Sequence, residues 1–405
     1  MEKLNNKKQI NLFSFLLAFT YMASYITRIN FGAIISEMET ATGIARSLLS
    51  LSLTGSFITY GIGQVISGII GDRISPKKLV AIGLFASAIM NFLIPLCKSP
   101  YLMLVVWCVN GFAQSFMWPP MVRIMTAFLS DTDYKNTTAK VSYGSSFGTI
   151  AIYFISPILI EFFNWKAVFI FSSLFGIVTI FIWNKFCMDI KDQKTENKIE
   201  NHTAVTTEKT AIFTPLMLLI MFAIILQGSL RDGVTTWMPT YIAETYNFSN
   251  SISILTGVIL PIFSILCFKV AIKLHIGIFK NPLSCAALFF GAGTVFSVLL
   301  FVLPGSTAIF SVLLSALLTG SMHGVNLMLI CMIPPFFKGC GKVSTVSGIV
   351  NSCTYIGSAV STYGIALLSE KAGWNTTLLI WTAIALTGTA ACLICARPWG
   401  KKFNL

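Results

Sequence analysis

Twelve apolar stretches, each long enough to cross a lipid bilayer, follow one another through most of this chain. They run over 10–36, 47–70, 79–97, 100–130, 138–160, 166–187, 211–243, 252–273, 282–303, 306–337, 342–368 and 373–396. A helix needs about 20 mostly apolar residues to traverse the hydrocarbon layer. Lipid offers no partner to a free backbone N–H or C=O, so a spanning segment must satisfy its own and becomes a helix. Only 11% of the 405 residues are charged and 55% are hydrophobic, where soluble domains carry roughly 25% charged residues. The expected fold class is an all-α integral membrane protein with twelve transmembrane helices. Met1 to Lys8 and the apolar run behind them imitate a secretory signal. That run is too long, contains Arg28 and ends without a small-residue cleavage site, so it is read as the first span.

A formal net charge of +13 would suggest nucleic acid, but the basic residues are sorted by side of the membrane. With spans alternating in direction, twenty-two of the 28 lysines and arginines fall on one side. Lys7, Lys8, Arg73, Lys77, Lys78, Arg123, Lys338 and Lys342 are among them. Only Arg46, Lys98, Lys166 and Lys371 fall on the other. By the positive-inside rule both termini are cytoplasmic, in the cell (inner) membrane. Lipid, not nucleic acid, is the expected surroundings. Ten cysteines are scattered singly, with no Cys-x-x-Cys pair, and read as small buried hydrophobes.

One long polar stretch, 189–210, interrupts the pattern and predicts a cytoplasmic linker. It separates a six-helix bundle over 1–188 from a second over 211–405. The halves echo each other. Arg28 and Arg231 both lie in the first span of their half. Trp118-Pro119-Pro120 is answered by Ile333-Pro334-Pro335, and Lys140-Val141-Ser142 by Lys342-Val343-Ser344. Asn164-Trp165 is answered by Gly373-Trp374. Duplicated halves with a site between them near the midplane are transporter architecture.

Away from span ends, the ionisable residues within spans are Arg28, Arg231, Asp232 and His323. An arginine in a bilayer cannot shed its charge and must face a partner or a wet cavity. Two arginines against one carboxylate point to an anion, because guanidinium forks bind carboxylate or phosphate oxygens in pairs. Adjacent helical residues point about 100° apart, so a tight pair between Arg231 and Asp232 is not expected. Asp232 is read as a counter-charge that holds an arginine while the site is empty, with proton coupling as the alternative. His323 is expected to satisfy a backbone carbonyl, with coupling as its alternative. Tyr21, Tyr25 and Arg28 fall at i, i+4 and i+7 on one stripe. Tyr60 and Gln64 are one turn apart, and Asn351, Tyr355 and Ser358 share another stripe. Tyrosine, with an apolar face and a hydroxyl tip, suits a small anion with a carbon skeleton. Gly68, Asp72 and Arg73 close the second span and predict a conformational latch. Asp72 at a helix C-terminus opposes the dipole, so it is expected to meet a neighbouring helix N-terminus or a cation.

Gly68-x-x-x-Asp72-Arg73 is similar to the signature loop of the major facilitator superfamily. Asp72-Arg73-Ile-Ser-Pro76-Lys77 resembles the version found in the organophosphate:phosphate antiporter family. Gly111-x-x-Gln114-x-x-x-Trp118-Pro119-Pro120-x-x-Arg123 resembles its fourth helix, and Arg231-x-Gly233-Val234-x-x-Trp237-x-Pro239-Thr240-Tyr241 its seventh. Tyr21, Tyr25, Arg28 and Asn30 resemble the first. The resemblance implies two six-helix halves that rock to alternate access, with Arg28 and Arg231 on a substrate phosphate. It also implies that Tyr21, Tyr25, Tyr60, Trp118 and Tyr355 line the cavity. Two departures stand out. Glycerol-phosphate members carry a lysine where this chain has Gln64, and a histidine at the position of Ser145. Both remove positive or protonatable character, which brings a monoanionic carboxylate such as a sugar acid beside the phosphate esters.

The expected function is secondary active transport of a small organic anion, by antiport or proton symport, with inorganic phosphate or protons as coupling species. A membrane sensor of a sugar phosphate is the alternative, since some relatives of that family detect rather than supply. No nucleophile–base pair, metal cluster or phosphate-cradling glycine loop appears. The chain is therefore not read as an enzyme, no cofactor is expected, and a monomer is.

Overall fold

The computed structural model describes residues 3–44, 46–188, 190, 212–247, 259–303 and 308–404, and among them every regular element is helical. In chain order these are α1 (Lys7–Ala33), α2 (Ile35–Thr42), α3 (Arg46–Gly71), α4 (Pro76–Leu93), α5 (Pro100–Gln114), α6 (Trp118–Phe128) and α7 (Asp131–Phe162). They continue as α8 (Trp165–Phe186), α9 (Pro215–Tyr246), α10 (Ile259–Gly277), α11 (Pro282–Val302), α12 (Ala308–Asn326) and α13 (Val343–Phe403). The expected linker, apart from Ile190, lies outside the described residues, as does the start of the eighth span.

Local sequence explains many of the boundaries. Ser75-Pro76, Ser99-Pro100, Thr214-Pro215 and Asn281-Pro282 each open a helix in the same way. The short polar side chain accepts a free first-turn N–H, and proline occupies a position that needs none. Spans four and ten both bend at their Pro-Pro pair. The fourth breaks between Gln114 and Trp118, and the tenth passes from a π-type turn at Leu327–Cys331 into a 3₁₀ turn at Pro334–Cys340. Proline removes the N–H that would continue the ladder and crowds the carbonyl four residues back.

Among the described residues, eleven helical stretches are long and apolar enough to cross a membrane. The remaining expected span is the first limb of α13, helical but too polar to be among them. Ser344, Ser347, Asn351, Thr354 and Ser361 interrupt it, and all five are buried. That is the pattern of a helix turned inward. At Gly373 a φ of 76° lets the chain pass from the eleventh span into the twelfth. Outside, Phe15, Phe57, Phe85, Phe154, Phe181 and Leu393 are exposed, an apolar surface suited to lipid.

The two halves join tightly at the end of the molecule that carries the basic loops. There α3 lies against the first limb of α13 with glycine on both faces. A Cβ on Gly68 would stand 2.7 Å from the Ser344 carbonyl, and one on Gly348 would collide with the Gln64 carbonyl. Ser352 Oγ donates to Gly61 O at 2.9 Å. Tyr134 Oη donates to Cys331 O at 2.5 Å, and Lys338 Nζ to Thr126 O at 2.8 Å. Tyr143 of α7 packs on Phe268 of α10, ring centroids 6.3 Å apart. This end of the interior is closed.

Candidate functional site

Above that seal, Arg28 projects from α1 among aromatic rings. Its guanidinium carbon stands 4.3 Å from the Tyr25 ring centre and 4.8 Å from that of Tyr60. Both distances are within cation–π range. Tyr60 meets Tyr355 of the other half at 4.6 Å. Tyr21 lies 5.2 Å from Tyr25 and 5.3 Å from Trp118. Trp118 is buried and forms the wall behind Tyr21. No carboxylate pairs with Arg28 among the described residues.

Arg231 enters from the middle of α9. Tyr25 and Tyr355 lie in electrostatic reach of both guanidiniums, so the two arginines belong to one region of the interior. The expectation about its neighbour is corrected here. Arg231 Nε donates to Asp232 Oδ1 at 2.6 Å and Nη2 to Oδ2 at 2.8 Å, a two-pronged pair between adjacent residues. The backbone does aim the two Cβ atoms apart, but the long arginine stem curls back over the short aspartate. Ser358 Oγ, from the first limb of α13, also donates to Asp232 Oδ2. The Arg231 and Asp232 side chains keep 16% and 31% exposure. The pair is therefore not fully buried.

His323 of α12 lies in reach of this pair. Its Nδ1 is 2.9 Å from Thr319 O and 3.2 Å from Ser264 Oγ. A carbonyl can only accept, so Nδ1 carries a proton. Phe268 meets the imidazole edge-on.

Three other expected contacts are engaged elsewhere. Gln64 is buried in the seal, its Oε1 accepting from Asn351 Nδ2 at 2.9 Å and its Nε2 donating to Ser115 O at 3.3 Å. Asn351 is therefore turned to Gln64, and Ser145 gives its hydroxyl to Ser142 O at 2.7 Å. Asp72 meets the helix N-terminus it was expected to find. Its Oδ1 and Oδ2 accept from Ser344 N at 2.9 Å and Thr345 N at 2.8 Å, at the start of α13. Arg73 is exposed in the turn beyond α3. Arg123 bonds to this loop, donating to Gly71 O at 2.5 Å and Ile74 O at 3.1 Å.

A buried polar network behind Arg28 was missed from the sequence. Asn91 and Asn110 both donate to Thr27 O, at 2.9 and 3.2 Å. Gln114 donates to Thr27 Oγ1 at 2.8 Å and Ser87 Oγ at 2.6 Å, and accepts from Ser24 Oγ at 2.7 Å. Asn30 donates to Asn91 Oδ1 at 2.7 Å and Ser172 Oγ at 3.0 Å. These bonds tie α1 to α4, α5 and α8, and so hold Arg28 at a set height. The available signal was amide or hydroxyl residues one turn apart inside apolar spans, as in Ser87/Asn91 and Asn110/Gln114.

Comparison with known proteins bears on family and fold. The family model described as Major Facilitator Superfamily matches residues 17–362. The chain is 26% identical over 388 residues to the glycerol-3-phosphate transporter of Bacillus subtilis (strain 168), covering 88% of this chain and 85% of that protein. It is 25% identical over 244 residues to the membrane sensor protein UhpC of Escherichia coli (strain K12), covering 56% of this chain and 55% of that one. Among solved structures, the transporter FucP in its outward conformation superposes with a TM-score of 0.76 over 96% of this chain and 99% of that one. At 11% identity that likeness concerns the fold alone.

Proposed function

The chain belongs to the Major Facilitator Superfamily, and from that premise we propose that it is a secondary active transporter moving a small organic anion by alternating access. One observation carries the reading. Two permanent cations, one from each half, lie within electrostatic reach of the same two tyrosines, Tyr25 and Tyr355, above an end of the interior where the halves are packed together. Intramembrane charges are costly and persist where they serve a solute path. Phosphate esters and organic or sugar acids both fit a guanidinium fork. The likeness to the glycerol-3-phosphate transporter of Bacillus subtilis favours the first. With the basic loops cytoplasmic, the conformation described is outward-facing, and the 189–210 stretch is the cytoplasmic linker between halves. Protons or inorganic phosphate would be the coupling species.

The sensor relative keeps a second reading alive, in which the same chamber detects a solute without moving it. Solute counterflow in proteoliposomes separates the two. A transporter loaded with unlabelled anion draws labelled anion inward, and a sensor binds label without accumulating it. Absence of both binding and counterflow across phosphate esters and sugar acids would remove the anion reading itself.

A further inference from the structure

Resting on the anion-site reading above, we infer that the chamber is built for a solute with one net negative charge, a hydroxylated monocarboxylate, rather than for a doubly charged phosphate ester. Among the described residues, the side chains around it that can carry charge near neutral pH are Arg28, Arg231, Asp232 and His323. Asp232 occupies both prongs of Arg231, so that pair is neutral overall. Ser358 holds the carboxylate in place from the facing helix. His323 is satisfied through Nδ1 by the Thr319 carbonyl and in its neutral form adds no charge. Arg28 remains, faced by rings and by no carboxylate among the described residues. One cation is left uncompensated.

Gln64 is fully buried in the seal, its amide turned to Asn351 and Ser115. In a poorly solvated interior an unmatched charge is expensive, so the charge of the bound solute is selected by what it must balance. A monoanion closes the balance with Arg28. A dianion leaves one negative charge over, unless it also displaces Asp232 and leaves that carboxylate unpaired. The faces of Tyr25, Tyr60 and Tyr355, with hydroxyls at their tips, suit the C–H and O–H edges of a polyhydroxy acid.

Binding to the purified full-length protein, followed by thermal shift and intrinsic fluorescence, tests this with two matched pairs. These are glycerate against glycerol 3-phosphate, and gluconate against glucose 6-phosphate. At about pH 7.5 the acids carry one charge and the esters close to two. At least one acid is expected to bind about tenfold or more tightly than its matched ester. Asp232→Asn, which frees a second cation, should shift that ratio toward the ester by about tenfold or more. Esters binding as well as the acids, or better, in the unaltered protein would overturn the monoanion inference and leave the anion site standing. Binding by neither class would overturn both. A preference for acids that Asp232→Asn leaves unmoved would overturn the charge balance as its cause. Should that variant fail to fold, the ratio in the unaltered protein still decides.

Discussion

Each guanidinium in the chamber is held by a different kind of partner, and the difference predicts different sensitivities. Arg28 rests on Tyr25 and Tyr60, so Arg28→Lys should lose both the fork and much of the ring contact. Anion binding by that variant is expected to weaken by about tenfold or more, measured by the same thermal-shift titration. Retention of full affinity would remove Arg28 from the site. The network beneath it makes a separate prediction about stability. Asn91 donates to the Thr27 and Ser87 carbonyls and accepts from Asn30, all buried. Asn91→Leu removes these bonds while Thr27 O keeps Asn110 and Asn30 keeps Ser172, at a cost of about 1–3 kcal/mol. Chemical unfolding in detergent reads it directly.

At the scale of elements, what matters is how close α3 comes to the first limb of α13. Gly348 sits against the Gln64 carbonyl, so Gly348→Val should force the two helices apart. Asp72 accepts two N–H groups at the start of α13, and Asp72→Asn gives up the charge that favours that helix end. The charge–dipole contribution is about 0.3–1 kcal/mol, rising to about 2 where partly buried. Both variants should populate a form open at the basic end, the valine more strongly. Spin labels placed on the two helices would report a longer distance, and an unchanged distance in both would deny the seal its role. The closeness of this junction was only half legible. Asp72 at a helix C-terminus announced a missing partner, but the partner's identity depended on which helix the fold brings there. Arg123 of α6 is hydrogen-bonded to the Gly71 and Ile74 carbonyls, while Arg73 is exposed in the turn after α3.

For the whole molecule, orientation is the property most directly testable. Cys340 is the one exposed cysteine of the ten and lies between Lys338 and Lys342 at the basic end. If that end is cytoplasmic, a membrane-impermeant maleimide should label Cys340 in inverted vesicles and not in intact cells. Labelling in intact cells would reverse the assignment. The number of spans, their helical nature and the two intramembrane arginines could be read from one dimension. Span length against bilayer thickness and the cost of an unpaired backbone leave a chain this apolar few alternatives. Pairings between residues distant in sequence could not be read that way. Gln64 with Asn351, Tyr60 with Tyr355 and Ser358 with Asp232 depend on which helix faces rotate toward each other, and that is settled by packing. Even the adjacent Arg231–Asp232 pair lay beyond helical geometry, because a flexible four-torsion side chain reaches where its Cβ does not point. Sequence alone therefore determined the solvent this protein lives in and the charges it keeps there. Tertiary structure decided which of those charges remain unbalanced, since compensation depends on contacts that form only when the helices pack.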